Sequence, residues 1–291
     1  PPERGGPDEI MKPAAIKNFL RVYGAPIAIV VLGLVVAFMF MAPAPPKRIT
    51  LAGGAAGGAY AATAEAYAAT LRKFDIAVDV QETAGSVDNL ARVKSRQADV
   101  AIVQTGVAGA KDDSVRSIGA VFYEPLWVFH RKSVRVEELQ DLAGHRVAIG
   151  PEGSGVRALA SLLLTEVGVK SEAFTAVPLA GQAAAVALQK GEIDVAVVVS
   201  GATSSWIAGL IADPQIELLS MKEAHALSRR HPYLDEVTLY RGVIDLANIL
   251  PREDVMLIAP AAQIVVREDL HPAVQSLLIE AALAADGGGS L

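Results

Sequence analysis

RITLAGGAAGG (48–58) and RVAIGPEGSG (146–155) decide the fold, because each opens a unit that the chain writes twice. The first unit continues through an Ala-rich segment to VDVQETAGSVDNLARVKSRQADVAIVQ (78–104). The second continues to FTAVPLAGQAAAVALQKGEIDVAVVVS (174–200). Gly53 aligns with Gly150, Gly85 with Gly181 and Asp99 with Asp194, at separations of 97, 96 and 95 residues. Each unit reads as strand, glycine turn, helix, strand, Ala-Gly turn, helix, strand. Two such halves facing one another leave a cleft. Backbone N–H groups at helix N-termini line it, an arrangement suited to an anion.

Working outward, the first unit predicts strands over 48–52, 76–83 and 98–104 and helices over 60–73 and 87–96, the latter capped by Ser86. Residues 117–131 predict two strands crossing to the second half, and 137–142 a short helix. The second unit predicts strands over 147–150, 177–179 and 193–200 and helices over 155–167 and 182–190. Further elements are a helix over 204–212, a strand over 216–221 and a helix over 222–230. Beyond His231-Pro232 the chain is expected to return to the first half through strands 255–259 and 263–267 and a helix over 272–285. The alternation is that of an α/β fold with mostly parallel sheets.

Among 291 residues there is room for two modest domains plus extensions. A net charge of −6 and 5% aromatics leave no basic footprint, so no nucleic-acid partner is expected. The absence of cysteine excludes thiol catalysis, disulfides and Cys-ligated zinc. A mean hydropathy of +0.36 directs attention to APIAIVVLGLVVAFMFMA (25–42), inside an uncharged run from Val22 to Pro46. Eighteen helical residues reach roughly 27 Å at about 1.5 Å each, close to a bilayer core. The expectation is an uncleaved anchor. A cleaved signal peptide is the alternative, with Ala42-Pro43-Ala44 as a small-x-small site and Pro45 obstructing the cut. The opening PPERGGPDEI reads as a disordered tail or the edge of a fragment, and the closing DGGGSL as a linker or a truncation point.

Nucleotide and hydrolase chemistry find no support. There is no G-x-x-x-x-G-K-[ST], neither glycine turn keeps G-x-G-x-x-G spacing, and Glu152 replaces the first glycine of a G-x-S-x-G elbow around Ser154. The five histidines form no H-E-x-x-H, and no cofactor or metal is called for. Asp99 and Asp194 stand at strand entrances, opposite the cleft, where hydrogen bonding to turns suits them better than catalysis. Gly57, Gly58, Gly153 and Gly155 could admit a ligand to the backbone, or could form ordinary tight strand-to-helix turns. Arg157 could clamp a carboxylate bidentately, or lie on the solvent face of its helix. Tyr60, Gln104, Ser200 and Thr203 sit at strand ends or first turns, while Trp127 could wall the cleft or fill the core.

ITLAGGAAGGAYAA, ETAGSVDNL, RQADVAIVQ, EPLWVF, LAGHRVAIGPEGSGVRALA, GEIDVAVVVSGA and VVREDLHPAV, in this order, resemble the TAXI-type solute-binding subunits of TRAP transporters from Arg48 to about Ala285. The resemblance implies a two-lobed, periplasmic-binding-protein-like fold, here preceded by one N-terminal transmembrane helix. It implies a non-enzymatic receptor on the periplasmic or extracellular side, binding a small organic anion such as glutamate or 2-oxoglutarate for integral membrane TRAP subunits. Carried over by position, the first-lobe ligand loops are Gly57, Gly58, Ala59 and Tyr60, then Gly85 and Ser86, then Gln104 and Thr105. Those of the second lobe are Gly153, Ser154, Gly155, Val156 and Arg157, then Ser200, Gly201, Ala202 and Thr203. Val156 departs from the hydroxyl residue that many members carry after GSG. The expected division is a tail over 1–21, a membrane helix and Pro-rich exit over 22–46, lobe 1 over 47–128 plus 232–291, and lobe 2 over 129–231. A membrane-tethered sensor of the same fold is the main alternative, followed by an α/β enzyme acting on a small anion.

Overall fold

The computed structural model describes residues 13–40, 44–107, 113–202 and 204–286. They belong to two compact units, Pro1–Pro45 and Pro46–Leu291. In the first, helix α1 (Pro13–Phe40) carries Pro26 in its interior, at the cost of one backbone hydrogen bond. Arg21–Met39, 19 residues of mean hydropathy 2.4, is long and apolar enough to cross a membrane, and none of it is buried. The helix begins earlier than the expected span. Of the tail expected over 1–21, residues 13–21 are helical and part of α1, while residues 1–12, 41–43 and all of the closing linker after Asp286 lie outside the described residues.

The second unit begins with β1 (Arg48–Ala52), α2 (Ala59–Arg72), β2 (Ala77–Gln81), α3 (Ser86–Lys94) and β3 (Val100–Gln104). Strands β4 (Val115–Tyr123) and β5 (Leu126–Arg131) lead to β6 (Arg146–Ala148), α4 (Gly155–Glu166), β7 (Thr175–Val177), α5 (Gly181–Lys190) and β8 (Val195–Val199). Then come α6 (Ser205–Ala212), β9 (Ile216–Leu218), α7 (Ala224–Arg230), β10 (Leu234–Leu239), β11 (Val255–Arg267) and α8 (Pro272–Asp286).

The duplicated units fold alike. Parallel pairing gives the order β2-β1-β3 in one and β7-β6-β8 in the other. Beside each third strand lies an antiparallel one, β11 against β3 and β5 against β8. All five residues of β3 are buried, as a parallel strand covered on both faces requires. Tyr67, Leu71, Ile102, Ile264 and Leu278 fill the core of the first half. Leu126, Val147, Leu163 and Val197 fill one face of the second half, and Trp127, Phe129, Leu188 and Val198 the other.

The segments expected as strands 255–259 and 263–267 form one strand of 13 residues. Its first part pairs with β10 and touches β5 at Ile258, while its second pairs with β3 and β4. Pro260 and Ala261 stand where the partners change. A proline lacks the N–H that a continuous ladder would use, so its place is the junction. Because β10 pairs with the first part of β11, the chain after Pro232 stays with the second-half sheet until about Pro260 before crossing.

Asp99 and Asp194 perform one task in the two units. Thr50 N donates to Asp99 Oδ2 at 2.8 Å, and Arg146 N donates to Asp194 Oδ2 at 2.9 Å. An arginine neutralises each, Arg267 Nη1 at 2.9 Å from Asp99 and Arg146 Nη2 at 2.7 Å from Asp194. Both carboxylates thus fasten strand entrances. Hydrogen bonds from Arg146 hold Asp194 down at about 2, against an ordinary 3.8. A depressed carboxyl contributes stability above its unfolded value and loses it as pH falls towards 2. We expect Asp194→Ala and Asp99→Ala each to cost about 1–3 kcal/mol in denaturant unfolding at neutral pH. Losses well under 1 kcal/mol in both would remove the strand-fastening role.

Candidate functional site

The glycine turns meet. Helix α3 starts at Ser86, preceded by Gly85 at φ 123°, a conformation open to glycine and costly for other residues. Its first free amides, Val87 N and Asp88 N, donate to the carbonyl of Gly153 at 3.0 and 3.1 Å. That carbonyl belongs to the turn before α4 in the other half. A Cβ at Gly85 would stand 3.3 Å from Ser154 Cα, and one at Gly155 would stand 2.7 Å from Gln104 Oε1 and 2.8 Å from Ser86 Oγ. The φ at Gly85 asks for glycine, and a side chain at Gly155 would force Gln104 and Ser86 to shift. Buried Asn89 keys α3 into place by donating to Ile102 O at 2.7 Å and accepting from Thr83 Oγ1.

Beside this contact runs a polar chain. Gln104 N donates to Ser86 Oγ at 3.0 Å, Ser86 Oγ lies 3.2 Å from Tyr60 Oη, and Tyr60 Oη donates to Glu124 Oε2 at 2.5 Å. Glu124 is 6% exposed, and among the described residues no cation pairs with it. Burial raises its carboxyl to about 7, opposed only by the Tyr60 hydrogen bond. Burial and the neighbouring carboxylate in turn push the Tyr60 phenol well above 10. Both halves converge on Glu124. Its N–H donates to Pro260 O, and Ser200 N donates to the carbonyl of the following residue, Pro125, at 3.4 Å.

Of the residues expected from sequence, Tyr60, Gly85, Ser86, Gln104, Gly153, Ser154 and Gly155 come together here. Ser86 is the first helical residue of α3, its hydroxyl turned to Tyr60 and Gln104. Gly57, Gly58 and Ala59 form the turn into α2, where Gly58 N donates to Ala55 O at 3.1 Å and Gly57 has open space about its Cα. Thr105 is committed to the crossing strand, its hydroxyl donating to Tyr233 O at 3.1 Å and accepting from Ala261 N at 3.0 Å. Ser154 caps α4, accepting from Arg157 N at 3.3 Å and donating to Pro151 O at 2.7 Å. The Val156 side chain packs in the second-half core. Arg157 holds its own turn, through Gly150 O at 3.1 Å and Glu152 Oε1 at 2.6 Å. Ser200 Oγ lies 2.7 Å from Ser204 Oγ, and Ser200 O accepts from Trp127 Nε1 at 2.8 Å. The carbonyl of Gly201 accepts from Ser204 N, Ala202 is half-buried, and Thr203 lies outside the described residues. Trp127 is wholly buried and stacked on Phe129, so it fills the core.

Sequence reading missed Glu124. Its signal was an acidic residue before a proline within the apolar run VFYEPLWVF, where a carboxylate has no place unless it is used. Because its folded pKa is raised, its contribution favours the fold below about 4.5 and is lost as pH rises through about 7. Glu124→Gln keeps an acceptor for Tyr60 and removes the charge. Its unfolding free energy, matched near pH 5, should exceed that of the wild type by up to a few kcal/mol at about pH 8. A difference that stays constant across this range would refute the shifted carboxyl.

Comparison with solved structures places the fold. A protein from Bordetella bronchiseptica RB50 superposes with TM-score 0.56 at 19% identity, covering 83% of this chain and 71% of its own. The alkanesulfonate-binding protein SsuA from Xanthomonas axonopodis pv. citri, bound to MOPS, superposes at 0.53 and 15% identity, covering 84% and 75%. The effector binding domain of QuiR in complex with shikimate gives 0.53 at 13% identity, covering 85% and 100%. At these identities the likeness is one of fold, that of periplasmic binding proteins. No curated protein matches the sequence. Residues 51–283 match the NMT1-like family, a span that takes in both duplicated units and the crossing strand, and the chain belongs to that family.

Proposed function

We propose that the chain is a non-enzymatic solute receptor that binds a small organic anion between its two halves. In this reading residues 47–128 and the chain from about 261 form one lobe, and the segment between them the other. The observation that carries it is the engagement of two α3 amides by one carbonyl of the facing turn. A carboxylate or sulfonate oxygen offers those amides the same acceptor with a full charge, and charge-assisted bonds are roughly twice as strong as neutral ones. Exchanging Gly153 O for a ligand oxygen requires the halves to part and close again, so the solute shifts the balance between the two arrangements. Helix ends contribute about 0.3–1 kcal/mol each, up to about 2 when partly buried. Micromolar affinity needs about 8. Tyr60, Gln104 and Ser200, with exclusion of water on closure, supply the remainder.

The motifs that resemble TAXI-type subunits support delivery to integral membrane TRAP subunits, with glutamate or 2-oxoglutarate as the solute class. The span Arg21–Met39 supports an N-terminal anchor in the cytoplasmic membrane with the receptor on the outer side. A tethered sensor is the second reading, favoured by the shikimate-bound effector domain that shares the fold. Co-purification with a multi-helix permease separates the two, since a sensor has no need of one.

Thermal-shift and calorimetric screening against dicarboxylates, keto acids and amino acids should yield a micromolar ligand with no turnover. Gly155→Ala retains a helix-compatible residue but sets a Cβ against Gln104 and Ser86. It should lower that affinity at least about tenfold while leaving the circular dichroism spectrum unchanged. Unaltered affinity in Gly155→Ala would remove the interlobe contact from the site.

A further inference from the structure

We propose that Glu124 is the residue of the interlobe site that receives a cationic nitrogen of the solute, so that the preferred solute is an α-amino acid carrying both an ammonium and a carboxylate. The inference rests on the receptor reading above and narrows its ligand class.

Three observations converge. The first is place. Glu124 lies where β4 turns into β5, with its carboxyl on Tyr60 at the start of α2 and its N–H on Pro260 of the crossing strand. Its neighbour Pro125 holds Ser200 of the second half. The second is incomplete satisfaction. A carboxylate presents about four acceptor sites, and among the described residues a single phenol answers one of them. A buried acid with so few donors is costly unless something else completes it. The third is the direction of the network. Ser86 Oγ accepts from Gln104 N and is spent on Tyr60, and Tyr60 is spent on Glu124, so every proton along the chain points to this one acceptor. Gly155 presses on Ser86 and Gln104 from the facing half, so parting the halves exposes the network on that side.

A zwitterion matches both ends of the corner. Its carboxylate replaces Gly153 O on the amides of Val87 and Asp88, and its ammonium completes Glu124. A keto acid or a plain dicarboxylate would bring a second acceptor or an apolar carbon to Glu124 and leave it uncompensated. The raised carboxyl fits this role, because an arriving cation draws it into the charged form with release of a proton.

The test uses the full chain in detergent and isothermal titration with matched acids: L-glutamate, 2-oxoglutarate and glutarate, and L-alanine, pyruvate and propionate, with further amino acids in parallel. An amino acid should bind at least about thirtyfold tighter than its keto or amine-free counterpart. In wild-type protein near pH 7 its binding heat should vary with the ionisation enthalpy of the buffer, reporting release of a fraction of a proton. Glu124→Gln should erase the preference, chiefly by weakening the amino acid at least about tenfold. The buffer measurement needs no variant and stands even if Glu124→Gln fails to fold. Tighter binding of amine-free acids, or amino-acid binding with buffer-independent heat, overturns the inference and leaves the receptor reading standing. Failure of every acid in the panel to bind overturns both.

Discussion

One carbonyl oxygen, that of Gly153, accepts two N–H groups from the start of α3, and the relation between the halves depends on it. Such a contact demands backbone against backbone, which a side chain on either surface forbids. Gly85 reaches it with φ 123°, and Gly155 passes Gln104 and Ser86 where a methyl group would clash. The glycines therefore serve approach, with turn geometry as their secondary use. A helix start with two unspent amides is an anion site in general. Here the protein supplies its own neutral acceptor, which the proposed solute would displace with a charged one.

That contact exists because a single folding unit was laid down twice. In a parallel βαβ arrangement every helix starts at the carboxyl ends of the strands, so glycine turns gather along one edge and strand entrances along the other. The two aspartates confirm the polarity of the duplicate. Asp99 and Asp194 sit at the entrances, each fastened to a strand amide and an arginine. With the entrances fixed, the opposite edge carries the turns that meet.

Much of this was legible in the chain. The repeat spacing identifies equivalent strands, the unbroken apolar run 100–104 marks a buried parallel strand, and the matched glycine turns are the segments that the structure brings against one another. Local patterns failed where a residue answers to a distant one. Ser86 reads as a cap because serine usually caps, yet its hydroxyl is taken by Tyr60 and Gln104, leaving the amides for Gly153. Thr105 reads as a loop residue of the site, and Arg157 as a carboxylate clamp or a solvent-facing residue; sequence alone does not tell that the former also fastens the crossing strand and the latter its own turn. Pro260 reads as a gap between two strands because nothing local tells that the missing N–H coincides with a change of partner sheet. Glu124 could not be placed until β11 and α2 were brought beside it.

The same chain treats two acids in opposite ways, and the contrast bears on why Glu124 is built as it is. Where permanence is wanted, the acid meets arginine: Asp194 takes three bonds from Arg146 and is held at about 2. At Glu124 a phenol stands where an arginine would fit the same logic, and the carboxyl titrates near 7. An arginine there would close the acceptor for good and leave nothing for a solute cation. Serine or glutamine in place of the acid would remove the cost of burial, and with it the capacity to recognise charge. A phenol holds the carboxyl in one orientation without neutralising it. The rise to about 7 reflects what burial costs the charged form, a cost that the proposed solute cation would offset.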